Sequence, residues 1–169
     1  SSNKIPGIVM KLLSKGGIIP SYDIIVSSVV PQITRKLRKV IGRKKGARLW
    51  VIGRDIKVRI KHKYFNINKL GSDRLVNAYG AMRIYAPPLL ILDYGTALTC
   101  DYISEKGVFM GGLIIPGPEV SLDALCKRAA LLPQITFPRA YNRLWGRDTK
   151  GGMKAGILQG YAAMTDGLI

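Results

Sequence analysis

The sequence predicts an α/β protein in two parts. Three observations carry that expectation. β-branched runs alternate with stretches of helical periodicity up to residue 86; a Pro87-Pro88 pair then breaks the pattern; beyond it three strand-like runs follow one another with only short turns between them. On this reading the first part is 1–87 and the second 88–169.

In the first part, residues 4–15 mix apolar and polar positions as a short helix does, and Gly16-Gly17 ends it. The run DIIVSSVVP at 23–31 is β-branched and closed by Pro31, which predicts a buried strand. From Gln32 to Arg43, Ile33, Leu37, Val40 and Ile41 recur at helical spacing with basic residues opposite, and Gly42 and Gly46 close the helix. ARLWVIG at 47–53 reads as a strand. IKVRIKHKYF at 56–65 sets Ile56, Val58 and Ile60 against Lys57, Arg59 and Lys61, the alternation of a half-exposed strand. A loop leads to a helix over 72–85, where the Ser72 hydroxyl can cap the first turn.

In the second part, LLILDYG passes through a tight turn into ALTCDYI, and SEKG at 104–107 turns the chain into VFMGGLII. Three consecutive strands of this kind form an antiparallel meander. Pro116-Gly117-Pro118 opens a helix over 119–130, stopped by Pro133. A last helix covers about 149–169, with Gly156 and Gly160 four apart. That spacing suits a close backbone approach, in plain helix packing or at a dimer seam.

Charge is the unusual bulk property: 27 Lys and Arg against 10 Asp and Glu, a formal net charge of +17. Residues 35–63 hold most of the surplus, with Asp55 alone opposing it. Such a stretch fits a polyanion or a solvated face; no aromatic stacking pattern accompanies it, which favours the solvated face. Cys100 and Cys126 make no disulfide framework and no metal spacing, so both read as core residues of a reduced, intracellular protein. No apolar run approaches the ~20 residues of a membrane span. No signal peptide is visible, and the chain opens on Ser1 rather than Met.

Three stretches carry chemistry. LGSDR at 70–74 sets an acid and a guanidinium at a helix start, where free N–H groups favour anions. Asp73 suits a base towards a hydroxyl and Arg74 a carboxylate clamp, or equally a first-turn helix acid and a surface charge. DYGT at 93–96 is the acid, turn and hydroxyl of a phosphate-handling hairpin; Asp93 reads as a buried acid needing a cation. GRDT at 146–149 offers a hydroxyl at a helix start, or a cap by Asp148 or Thr149. The glycines of GGLIIPG mark a close backbone approach or bulges.

Taken in order, SSVVP (27–31), LGSDR with Asn77 (70–77), DYGTALTCD (93–101), GGLIIPG (111–117), ALLP (130–133) and GRDT (146–149) closely resemble the type III pantothenate kinases, the group that includes the Bvg accessory factor proteins. The resemblance implies the sugar kinase/actin superfamily, with two ribonuclease H-like domains. It implies ATP-dependent phosphorylation of pantothenate, the first step to coenzyme A. It also implies a cytoplasmic homodimer using Mg²⁺ and a monovalent cation, K⁺ or NH₄⁺. Residue by residue, it makes Asp73 the proton acceptor and Tyr64, Gly71, Ser72, Arg74 and Thr149 substrate contacts. Thr96 becomes an ATP contact and Asp93 the monovalent-cation ligand; Asp101 fits the pattern without a role. The family's Asp-x-Gly-Asn-Thr phosphate loop and its segment after the last helix have no match. The chain therefore reads as an internal fragment with an incomplete first domain, for which ATP binding in isolation is open. Two other readings remain: a transcription-accessory or nucleic-acid-binding protein on a degenerate kinase fold, and a superfamily kinase for another hydroxyl substrate.

Overall fold

The computed structural model describes residues 7, 8, 11 and 21–169. Gly7, Ile8 and Lys11 are helical, and the rest of the helix expected over 4–15, with its Gly16-Gly17 stop, lies outside the described residues. The fold is mixed α/β, and contacts divide the chain into two compact units. One is Ser1–Ala86 with Gly107–Phe109; the other is Pro87–Lys106 with Met110–Ile169.

The first unit is built on a β-α-β element. Strand β1 (Tyr22–Val26) pairs in parallel with β2 (Ala47–Val51), in register Tyr22 to Ala47 through Val26 to Val51. Parallel neighbours need a crossover, and helix α1 (Pro31–Ile41) supplies it. Pro31 begins α1 rather than closing the strand, because its fixed φ and missing N–H suit the first helical position. Leu37 and Ile41 bury the apolar stripe of α1, and Val51 of β2 is buried too. The helix ends at Ile41, two residues before the expected Arg43, and Gly42 is right-handed; it is Gly46, at φ 82°, whose backbone only glycine adopts easily.

β1 is not the buried strand its composition predicts. Ile25 is 61% exposed, and its register partner Trp50 is 37% exposed. Only alternate residues of β1 face the packed side, so the pattern is that of a strand covered on one face. Asp23 uses the open side, accepting from Trp50 Nε1 at 3.1 Å and Arg48 Nε at 3.0 Å. Asp55 closes the turn after β2. It accepts from the Val51 N–H at 2.9 Å and from Arg38 at 2.7 Å. The backbone bond first, and then Arg38, hold its carboxyl below the usual range.

The run 56–65 keeps its alternation in burial, with Ile56, Val58 and Ile60 partly covered and Lys57, Arg59 and Lys61 exposed. Only β3 (Lys61–His62) finds a strand partner, however, pairing in parallel with Val108 and Phe109. A 3₁₀ turn (Ile67–Lys69), capped by the Asn66 side chain accepting from Asn68 N–H, leads into helix α2 (Ser72–Ile84). Leu70, Leu75 and Ala78 are buried in this unit.

In the second unit β4 (Leu89–Tyr94) runs antiparallel to β5 (Ala97–Ile103), Leu89 opposite Ile103 and Tyr94 opposite Leu98. β6 (Val108–Pro116) lies on the other side of β5, after a short turn in which Gly107 takes φ 66°. The meander is therefore as predicted. Helix α3 (Pro118–Arg128) follows, and helix α4 (Thr149–Leu168) ends the chain described. Leu122 and Cys126 of α3 meet Met153 of α4, with Leu132, Ile135 and Phe137 of the connecting segment packed against them. Both cysteines are buried and form no disulfide. Burial, and then the Asp101 carboxylate, push the Cys100 thiol up. Among the described residues no helix is long and apolar enough to cross a membrane.

Candidate active site

In the first unit the site residues gather where α2 begins. Gly71 holds the N-cap position with extended backbone, so Ser72 is the first helical residue rather than the cap. Ser72 instead accepts a hydrogen bond from the Ser27 hydroxyl at 3.2 Å. The capping falls to Asp73, whose Oδ1 accepts from the Arg74 N–H at 2.8 Å. The carboxylate folds back so closely that a Cβ on residue 71 would displace Oδ1 from this position. Asp73 remains exposed.

Arg74 does the opposite. It is only 6% exposed, so it is not the surface charge that its sequence position allows. Its Cζ lies 5.9 Å from the ring centre of Tyr64 and 5.9 Å from that of Phe109. The two rings meet edge to face, with centres 6.0 Å apart. A guanidinium can be desolvated against aromatic faces because the rings' quadrupoles attract it. Sequence reasoning found Tyr64 but missed Phe109, which reaches this unit only through the pairing of β6 with β3. A cavity of about 380 Å³ adjoins Ser72 and is lined further by His62, Asn68 and the cationic Lys57 and Arg59, whose charge suits an anionic ligand.

In the second unit Asp93 and Thr96 belong to the β4–β5 hairpin. Gly95 N–H donates to Ala97 O at 3.0 Å across the turn. Gly95 does not take a positive φ, so its presence is not a demand of left-handed backbone. The demand sits at Gly117, which the sequence marked only as one of several glycines. Its N–H donates to Thr96 O at 2.9 Å, and any Cβ there would collide with the carbonyl oxygens of Gly95 and Thr96. The start of α3 is thus docked backbone to backbone on the hairpin turn. A cleft of about 480 Å³ opens there, lined by Tyr94, Gly95, Thr96, Pro118, Glu119 and Val120. A hydroxyl, a tight turn and the start of an 11-residue helix are elements from which a phosphate cradle can be built.

The expectation for Asp93 needs correcting. Asp93 is exposed at the end of β4, whereas Asp101, in the middle of central β5, is 1% exposed. No cation is required to make Asp93 tolerable. Among the described residues, no three His, Cys, Asp or Glu side chains gather as a metal cage. An exposed carboxylate can still serve a hard cation that takes its other oxygens from a ligand.

Thr149 is the first residue of α4. The cap is Asp148, whose Oδ1 accepts from Gly151 N–H at 2.7 Å, so the Thr149 hydroxyl is not consumed in capping. Gly146 backs onto Gly151 and Gly152 so closely that no side chain fits there. Tyr141, Arg143, Lys150 and Lys154 line a cleft of about 550 Å³ beside this helix start.

Comparison with known proteins identifies the family. A sequence model of the family described as type III pantothenate kinase matches residues 2–169. The type III pantothenate kinase of Listeria monocytogenes serotype 4a is 37% identical over all of this chain, which spans 66% of that protein. Those of Caulobacter vibrioides and Bacillus cytotoxicus are 42% and 41% identical over 86% of the chain, which spans 56% and 55% of their lengths. The chain thus spans two thirds or less of the curated relatives it matches. A solved chain from Campylobacter jejuni, described as a Baf family transcriptional activator, shares the fold at a TM-score of 0.53. It is 19% identical, over 94% of this chain and 68% of its own. With its sequence matched from residue 2 to residue 169, this chain belongs to the type III pantothenate kinase family.

Proposed function

We propose that the protein phosphorylates pantothenate with ATP, giving 4′-phosphopantothenate on the route to coenzyme A. The observation that carries this reading is the start of α2, where an exposed Asp73 stands next to a buried, aromatic-backed Arg74. Asp73 takes the proton of the primary hydroxyl as the phosphoryl group arrives; Arg74, Ser72 and Tyr64 bind the acceptor, with the Thr149 hydroxyl as a further contact. Phosphoryl transfer needs positioned partners and compensated charge more than covalent catalysis, and these residue types supply both.

For ATP, the Thr96 hydroxyl and the hairpin turn docked on α3 bind phosphate oxygens. Asp93 would hold a monovalent cation or share Mg²⁺ with the nucleotide; the bound cations supply neutralisation of phosphate charge. The two compact units correspond, in this reading, to the two ribonuclease H-like domains of a sugar kinase/actin-type enzyme. The protein works in the cytoplasm as a homodimer. Open space around Gly152, Gly156 and Gly160 of α4 supports a helix face on which a second copy packs.

The test is direct. The whole protein is incubated with Mg²⁺–ATP and pantothenate, and the product is sought by mass spectrometry. The added phosphoryl group should appear on pantothenate only when ATP is present. ATP-independent mass change, or none with fully folded protein, would sink the reading.

A further inference from the structure

The second unit contains a set of linked hydroxyls to which the proposed chemistry gives no role. Tyr161, in the fourth turn of α4, donates to the carbonyl of Pro116 at 2.6 Å. Ser121 Oγ lies 2.6 Å from the same Tyr161 Oη. Thr165 Oγ1 donates to the carbonyl of Tyr161 at 2.8 Å, and the Tyr94 hydroxyl meets Thr165 Oγ1. A hydroxyl has a single proton, so these bonds fix each other's direction. Tyr161 has given its proton to Pro116, so Ser121 must donate to Tyr161. Thr165 has given its proton to Tyr161, so Tyr94 must donate to Thr165.

Both chains of bonds end on the nucleotide cradle. Tyr94 immediately precedes the Gly95-Thr96 turn. Pro116 immediately precedes Gly117, whose N–H donates to Thr96 O at 2.9 Å. Helix α4 therefore grips the cradle on both sides, through the strand that leads into the turn and through the segment docked on it. Neither Tyr161 nor Thr165 lines the cleft.

We propose that Tyr161 and Thr165 are positioning residues for nucleotide binding, holding the Thr96 turn and the start of α3 in the register that phosphate requires. The proposal rests on the kinase reading for the identity of the ligand, ATP, but not on the identity of the acceptor.

The experiment compares Mg²⁺–ATP affinity, measured by calorimetric titration of the whole protein, across hydroxyl-deleting variants. Tyr161→Phe keeps the ring and removes one donor and one acceptor. It should weaken ATP binding about five- to tenfold, the worth of one or two neutral hydrogen bonds. The KM for pantothenate should stay within about twofold, a split that a general loss of folded protein does not produce. Adding Ser121→Ala to Tyr161→Phe should weaken binding no further, because the Ser121 bond ends on the deleted hydroxyl. Thr165→Val should weaken ATP binding and Thr165→Ser should restore it. Tyr161→Phe binding ATP as tightly as wild type overturns the proposal. So does equal affinity of Thr165→Val and Thr165→Ser, a pair that remains decisive if Tyr161→Phe folds poorly. Wild-type protein that binds ATP without phosphorylating pantothenate ends the proposed function and leaves the affinities to decide this one. Wild-type protein that binds no ATP ends both.

Discussion

Arg74 and Tyr64 form a buried cation–ring pair at the start of α2, with the guanidinium carbon 5.9 Å from the ring centre and the arginine 6% exposed. A lysine there keeps the charge but loses the planar fork that stacks on rings and grips a carboxylate by two bonds. Arg74→Lys should therefore raise the KM for pantothenate about tenfold or more while that for ATP stays within about twofold. Steady-state kinetics with each substrate varied in turn checks this; equal changes in both constants would remove Arg74 from acceptor binding.

Asp73→Asn should leave the fold intact, because an asparagine oxygen still accepts the Arg74 N–H that Asp73 Oδ1 now accepts at 2.8 Å. What it lacks is a base. Turnover should drop by roughly two to four orders of magnitude with pantothenate still bound. Calorimetry for binding and a coupled assay for turnover separate the two, and an unchanged kcat would exclude Asp73 as proton acceptor.

Gly117 and Gly156 are a contrasted pair. A methyl group on residue 117 meets two carbonyl oxygens of the hairpin turn, whereas one on residue 156 meets nothing within 4 Å. Gly117→Ala should lower the unfolding midpoint by roughly 4–10 °C, corresponding to a clash of a few kcal/mol. Gly156→Ala should raise helix stability by up to about 1 kcal/mol. In the homodimer reading, the bulkier Gly156→Leu should also shift the protein towards monomer in sedimentation velocity; an unmoved dimer would place the seam elsewhere.

If Asp93 holds a monovalent cation, activity should rise when K⁺ or NH₄⁺ replaces Na⁺, and Asp93→Ala should remove that dependence. Because Asp93 is exposed, the same substitution should cost little stability. Activity indifferent to the monovalent cation would assign Asp93 to Mg²⁺–ATP or to the hairpin.

The basic stretch gives the last prediction. Lys36, Lys39, Arg43 and Lys44 are all exposed. Replacing all four by Gln should leave pantothenate phosphorylation within about twofold, since exposed charges contribute little individually. Any DNA affinity should be sequence-indifferent and collapse between low and physiological salt. Sequence-selective binding at physiological salt, lost in the quadruple variant, would favour the regulatory reading.

Elements whose cause is local were legible in the sequence. The α1 stripe, the β4–β5–β6 meander and the α3 and α4 starts follow from periodicity, turn residues and proline placement. The alternation over 56–65 predicted which side chains are covered, but strand pairing depends on a partner nearly fifty residues away, and only Lys61–His62 has one. Burial of acids was misjudged because Asp93 and Asp101 sit in equally apolar contexts; position in the sheet, end against middle, separates them. Phe109 behind Arg74 and Tyr161 against Pro116 come from contacts that no periodicity encodes.

Helix α4 contains five glycines in its 20 residues. Each is about 1 kcal/mol less favourable than alanine in a helix interior, so the segment has little reason to be helical by itself. Its order comes from Met153 against α3 and from the hydroxyl contacts to Tyr94 and Pro116. The meander is joined by short loops, whereas the glycine-rich α4 depends on these contacts for its order. Amide exchange should therefore be fastest along α4 among the unit's regular elements, and on a growing chain this helix would consolidate last.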